Sequence, residues 1–350
     1  MALLGMVNWS THCWQGKAIT ISVVTGVLLV GCGSQLPGPE PTDPVTEPAG
    51  VFFDDFTYSS NADPYLGLMG WSLLDGIGTL PMNALYSRDN VFFRTDTADS
   101  SNRLAALQAT TQNTLQTMRL AQMETPIRFF EGTYAARVFF DNAAKDYRDG
   151  NVQTFYLIND APALDLDFVE IDFEYLPYDV WNPEDFPPDM WMNTWHMWES
   201  WEPSVEYNNC LENRFRRACW WSTSLAGWHT LLVQVNPDTK EVRFYIDGRL
   251  RVTTGRRYYP RSEVNISLAN WVTHDAISPG SAPQSRTYTF MVDWVLYAKD
   301  VVLDPGEMAV LVAGYREAGI SRQDTIDGQP KPATGLGATA TAANQINLSW

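Results

Sequence analysis

Glu170, Asp172 and Glu174 recur at every second position of "FVEIDFEYLP", residues 168–177. A strand points successive side chains to opposite faces, so Val169, Ile171, Phe173 and Tyr175 can enter a core while the three acids line up on the other side. The chemistry open to such a row is proton transfer and nucleophilic attack. Carboxylates crowded together raise one another's proton affinity, so one can keep its proton while a neighbour ionises. The same alternation is also the ordinary pattern of a half-solvated antiparallel strand, and spacing alone does not separate the two readings.

The elements that must position the acids follow from composition and pattern. The chain has 350 residues, 45% of them apolar and 19% charged, which suits a globular protein able to bury a full core. Its formal net charge of -17 argues against a nucleic-acid partner, which needs clustered Lys and Arg to displace counterions. Arg249, Arg251, Arg256, Arg257 and Arg261 form a local exception, either a solvated edge or a site for a sulfated or carboxylated ligand.

From residue 51 to about 300 the chain is a series of ten short β-rich runs separated by turn residues, among them "TYAARVFF", "VQTFYLIND", "FVEIDFEYL" and "YTFMVDWVLY". This predicts an all-β domain, an antiparallel sandwich or barrel. "VNPDTKEV" reads as a hairpin whose turn is set by Pro and Asp. Beyond it, Met308, Leu311, Val312 and Tyr315 have the spacing of one amphipathic helix, started by Asp304 and Pro305 and stopped by Gly319. The helix is expected to pack on the sandwich as an accessory.

Both ends carry further signals. Residues 18–30, "AITISVVTGVLLV", are an apolar run too short to span the roughly 30 Å hydrocarbon layer unaided, as expected of an export signal. The run ends in "LVGC", which resembles the lipobox of bacterial lipoproteins. That resemblance implies cleavage before Cys32, acylation of its thiol and anchoring to the cell envelope, at the outer membrane or cell surface. Lys17 is the one basic residue ahead of the run, and an uncleaved signal anchor is the other reading. With Cys13 removed and Cys32 acylated, Cys210 and Cys219 remain, either paired as a disulfide in an oxidising compartment or as two free thiols. No Cys/His spacing suggests zinc.

The expected organisation is a signal over 1–31, a Pro-rich linker over 32–50, the β domain over 51–300, the helical accessory over 301–322 and a second linker over 323–333. The last stretch, 334–350, resembles the opening of a fibronectin type III module. Such a module needs about 100 residues to close its core, so a truncated sequence is expected.

The ordered motifs "GTYAARVFF", "VQTFYLIND", "VEIDFEYL", "TWH", "GWHTLLVQV", "VRFYIDG", "NW" and "VDWVLY", spread over residues 132–297, resemble glycoside hydrolase family 16. The most specific element is E-x-D-x-E at Glu170, Asp172 and Glu174. The resemblance implies a concanavalin A-like jelly roll of two curved sheets with a glycan cleft on the concave face. It also implies endo-acting hydrolysis of β-linked polysaccharide with retention, on β-1,3- or β-1,3-1,4-glucan, xyloglucan or galactan.

By the family pattern Glu170 is the nucleophile and Glu174 the general acid/base, with Asp172 sharing a hydrogen bond with the nucleophile. Such chemistry places the two carboxyl groups about 5 to 5.5 Å apart. Four residues of strand span about 13 Å, so a curved sheet is required. Sugar rings stack on aromatic faces, and the resemblance puts Phe168, His196, Trp198, Asn270 and Trp271 in the substrate-binding set, with Trp195 turned to the core.

The insertion Tyr178 to Trp191 either walls the cleft or caps the sandwich. The reaction requires no cofactor. A structural calcium is common on the convex face of relatives, but no contiguous ligand motif marks one here. Polysaccharide and the membrane, through the lipid, are the expected partners of a monomer. A transglycosylase of the same family and a non-catalytic carbohydrate-binding surface protein are the alternatives.

Overall fold

The computed structural model describes residues 48–326 apart from 79–83, 112–117, 143–149, 163, 183–186, 198–202 and 274–285, together with the strands Gly337–Ala342 and Gln345–Ser349. The expected export signal, Cys32, most of the expected first linker and Trp198 lie outside these residues. The two C-terminal strands pair antiparallel with each other.

The β-rich runs form two nine-stranded sheets. One is ordered Val205–Glu206, Cys210–Glu212, Arg216–Ser222, Asp189–Trp195, Glu170–Leu176, Asn151–Ile158, Asn265–Val272, Ala121–Glu124 and Ser72–Leu73, all antiparallel. We call this the site sheet, and Glu170–Leu176 near its middle the acid strand. The other sheet runs from Arg249–Thr254 through Gly227–Asn236, Gly132–Phe140 and Arg286–Lys299 to Val51–Asp54 and Arg322–Asp324.

The sheets are held together by the apolar halves of the alternating strands. Val169, Ile171, Phe173 and Tyr175 of the acid strand and its lead-in are buried in the main core. The Phe173 ring meets Phe244 edge-on at 5.2 Å, and Tyr175 meets Phe140 at 4.7 Å, so both reach the opposite sheet. Burial of such side chains contributes about 1.5–3 kcal/mol each. Cys210 and Cys219 face each other across adjacent strands of the site sheet and are joined as a disulfide.

The expected hairpin is formed by Gly227–Asn236 and Glu241–Ile246. The expected helix is Pro305–Glu317, with Asp304 and Glu307 in a reciprocal capping box and Gly319 just beyond its end at φ +66°. It buries Met308 and Val312 in a second core with Phe53, Trp294 and Leu296, on the outer face of the second sheet. A five-residue helix at Pro64–Leu68, capped by Asp63, has no apolar periodicity long enough to be read from sequence.

A buried carboxylate ties the helix to that sheet. Asp293 has 0% exposure and accepts from Arg137 at 2.6 Å, Arg316 at 2.7 Å and Asn102 at 2.7 Å. A buried charge is tolerated when paired and hydrogen-bonded, and becomes costly when a partner is removed. Replacing Arg137 and Arg316 together by Met is expected to destabilise the protein by roughly 3–5 kcal/mol. The urea midpoint reports the loss, and adding Asp293→Asn should recover part of it.

Candidate active site

Strand pairing decides which side chains share the acids' face. Glu170 stands opposite Ile158 and Trp195, Asp172 opposite Tyr156 and Asn193, and Glu174 opposite Thr154 and Trp191. Directly paired residues project to the same side of a sheet. A slip of one residue would send the acids into the core and Phe173 into solvent, and the buried aromatics forbid it. Glu170, Asp172 and Glu174 therefore all line one cavity of about 790 Å³ on the open face of the site sheet. At the far end of the row Leu176, Trp191 and Ala218 form a small apolar cluster that closes the open face beyond Glu174.

Burial and crowding set the protonation of the row. Glu170 is pushed up to about 7 by burial. Glu174 is pushed up to about 8, first by burial and then by the charges of Glu170 and Asp179, against the hydrogen bond that Asn193 Nδ2 donates to it at 2.7 Å. Asp172, only 3% exposed, is raised well above its ordinary value by burial and by both neighbouring carboxylates. Burial thus holds both glutamates above their ordinary range, and the charge of Glu170 adds to the rise at Glu174.

The insertion walls the cleft. Asp179 is fully buried and accepts from Trp191 Nε1 at 2.7 Å and from the Trp181 backbone N–H at 2.7 Å. Burial raises its carboxyl to about 7. These bonds fix Trp181, whose ring lies 6.0 Å from both Trp191 and Trp271 and lines the cavity.

Of the substrate-binding residues expected from sequence, Phe168 and Trp271 line the cavity. His196 does not. It lies on the other face, 6% exposed, with Nε2 3.0 Å from the Arg214 carbonyl and its ring against Phe215 and Tyr258. Burial and the nearby charges of Arg261 and Arg257 push it down to about 4, so it is neutral near pH 7.

The cause is parity: Glu170 pairs with Trp195, so Trp191, Asn193 and Trp195 share the acids' face while Thr194 and His196 turn inward. Trp195, expected in the core, accordingly lines the cavity, with Arg216 stacked over its ring at 4.6 Å. Asn270 is likewise inward. It has 0% exposure, and its Nδ2 donates to the backbone carbonyls of Leu107 and Tyr288 while Asn151 donates to its Oδ1, a buried polar link between the sheets.

Sequence reasoning missed Tyr156, Glu124 and Asp160 on the lining, and Asn193, which reaches the site through its hydrogen bond to Glu174. Asn193 was within reach, since alternation from Trp195 includes it once the pairing is known. Among the described residues no group of three or more His, Cys, Asp or Glu side chains is arranged to hold a metal ion.

The sequence model of glycosyl hydrolases family 16 matches residues 86–296. No curated protein matches. Among solved structures, the chain is similar to the Bacillus licheniformis β-glucanase, at 19% identity over 71% of this chain and 98% of that one, with a TM-score of 0.49. It is similar to a Bacteroides ovatus mixed linkage glucan protein of the same family solved with a product, at 14% identity, 70% and 98% coverage and a TM-score of 0.50. It is also similar to an immunostimulatory antigen and pseudo β-1,3-glucanase of Mycobacterium tuberculosis, at 19% identity, 71% and 98% coverage and a TM-score of 0.48.

The raised carboxyls make a stability prediction. Glu170 and Glu174 hold protons in the folded state at pH values where the unfolded chain, at its ordinary 4.5, has lost them. Through these two groups the folded state binds more protons, and their contribution to stability falls as pH rises from about 4.5 to about 8. Glu170→Gln removes one member of the row and should make that fall shallower. It should also raise the melting temperature near pH 8, by about 1–2 °C for each kcal/mol relieved in a chain of this size. Calorimetry across that range checks both.

Proposed function

The chain belongs to glycosyl hydrolases family 16, and on that premise we propose that it cleaves internal bonds of a β-linked polysaccharide by double displacement with retention. One observation carries the reading: two glutamates on alternate positions of one strand, flanking a buried aspartate, open into the same aromatic-walled cavity.

In this reaction the Glu170 carboxylate attacks the anomeric carbon as Glu174 gives its proton to the departing glycosidic oxygen. The glycosyl–Glu170 ester is then hydrolysed by a water that Glu174, now ionised, deprotonates, which restores both groups. As negative charge leaves Glu170 in the first step, the repulsion that holds Glu174 protonated falls away. The acid becomes a base at the point in the cycle where a base is needed. Asp172, retaining its proton beside Glu170, can donate a hydrogen bond to the nucleophile and orient it. Asn193 holds Glu174 through its Oε2. Trp181, Trp195, Trp271 and Phe168 offer faces on which sugar rings can stack.

The substrate class proposed is β-1,3- or β-1,3-1,4-glucan, xyloglucan or galactan. The enzyme is proposed to act outside the cytoplasm, held to the cell envelope by a lipid on Cys32.

The test is reducing-end release from a panel of these polymers. Glu174→Gln is expected to lower kcat/KM by about 10²–10⁴-fold and to remove the alkaline limb of the pH profile, since that limb reports loss of the Glu174 proton. Glu170→Gln is expected to be inactive while still binding glycan. Wild-type turnover in either variant would overturn that residue's role, and glycan binding without turnover in the wild type would favour a non-catalytic binding protein.

A further inference from the structure

The reaction uses three of the five carboxylates that line the cavity. The other two are Glu124 and Asp160. Glu124 ends the strand Ala121–Glu124, and its Oε2 accepts from Gln122 Nε2 at 2.8 Å, so the charge is held in place on the open face. Asp160 stands exposed just past the strand Asn151–Ile158.

No described lysine or arginine lines the cavity. On the neighbouring strand Arg216 lies over the Trp195 ring at 4.6 Å, and its guanidinium is directed at Ser204. The arginine run does not supply the missing cation. Arg251 lies 3.7 Å from the centre of the Trp221 ring, and Arg257 lines a separate groove of about 550 Å³ with Glu212 and Tyr207.

We propose that this cleft is a charge filter, selecting uncharged polysaccharide over sulfated or uronate-bearing chains, with Glu124 and Asp160 as the residues that enforce the selection. The inference rests on the hydrolase reading for the polymer class, and it narrows that class by charge.

The physical reason has an attractive and a repulsive half. Sugar hydroxyls are donors, and the cleft is rich in acceptors. The two extra carboxylates stand on the lining itself, within reach of such donors. Stacking on the tryptophan walls requires a ring face and no charge. A sulfate or carboxylate on the chain would shed part of its hydration, meet no described lysine or arginine in the lining, and face Glu124 and Asp160. Discrimination of this kind is built from unfavourable contacts with the wrong partner as much as from good contacts with the right one.

The test compares one glucan with its own sulfated form, so that backbone and linkage are held constant. Glu170→Gln protein, expected to bind without turnover, is titrated with β-1,3-glucan, mixed-linkage glucan and xyloglucan and with the sulfated derivative of each. Affinity electrophoresis is run at about 50 mM and about 500 mM salt, across which the screening length shortens severalfold. The expected result is that at least one neutral polymer binds with little salt dependence. Its sulfated form should bind at least about tenfold more weakly at low salt, with a gap that narrows at high salt. Adding Glu124→Gln and Asp160→Asn should shrink the low-salt gap at least about threefold.

Equal or tighter binding of the sulfated forms, a gap untouched by the two substitutions, or failure of every neutral polymer to bind overturns the filter. The hydrolase reading fails separately, if wild-type protein releases no reducing ends from polymers that it binds.

Discussion

The register between the acid strand and its two neighbours is the constraint on which the site depends. Phe173 and Tyr175 are locked into the core by Phe244 and Phe140 on the opposite sheet. With a side-chain period of two, their burial compels Glu170, Asp172 and Glu174 to the open face. Pairing then carries the same parity across the sheet and brings Asn193, Trp195 and Trp191 alongside from one neighbour and Tyr156 and Thr154 from the other. Core packing and site chemistry are thus the two faces of one strand.

The site departs from what stability alone would favour. Three carboxyl groups are crowded at the floor of a cleft, where burial penalises every charge they carry. The row is sustained by the large core beneath it and by neutral donors, among them Asn193. Asp179, itself buried, links this electrostatic arrangement to the shape of the cleft. Its charge helps to raise Glu174, and its hydrogen bonds hold Trp191 and Trp181. One residue of the insertion therefore bears on both the proton of the acid/base and the wall against which a sugar could lie.

Much of this was legible in the sequence because it is local. The acid row, the strand runs, the Pro-Asp hairpin and the capped helix each lie within a dozen or so residues, and period, turn chemistry and capping are local physics. Phe168 and Trp271, named through the family resemblance, both line the cavity.

What failed required knowledge of pairing between distant strands. His196 and Asn270 were placed one parity step off because a motif match gives position along a strand and not the face. The face of the strand Asp189–Trp195 is set by Glu170 opposite Trp195, and that of Asn265–Val272 by its own neighbour Asn151–Ile158. The clamp of Asp293 by Asn102 and Arg137, separated by 191 and 156 residues, leaves no local signal at all. Glu124 was invisible for the same reason, since its strand meets the acid strand only through two others.

In double displacement as proposed, the first acid of the row is the group that bonds to the sugar. An activated 2-deoxy-2-fluoro glycoside slows breakdown of a glycosyl ester, so incubation followed by peptic digestion and peptide mass mapping locates the covalent label directly. One sugar per chain, on Glu170, is the expected result. A label on Glu174 or Asp172 would contradict the assigned geometry, and substrate turnover with inverted anomeric configuration and no label would contradict double displacement itself.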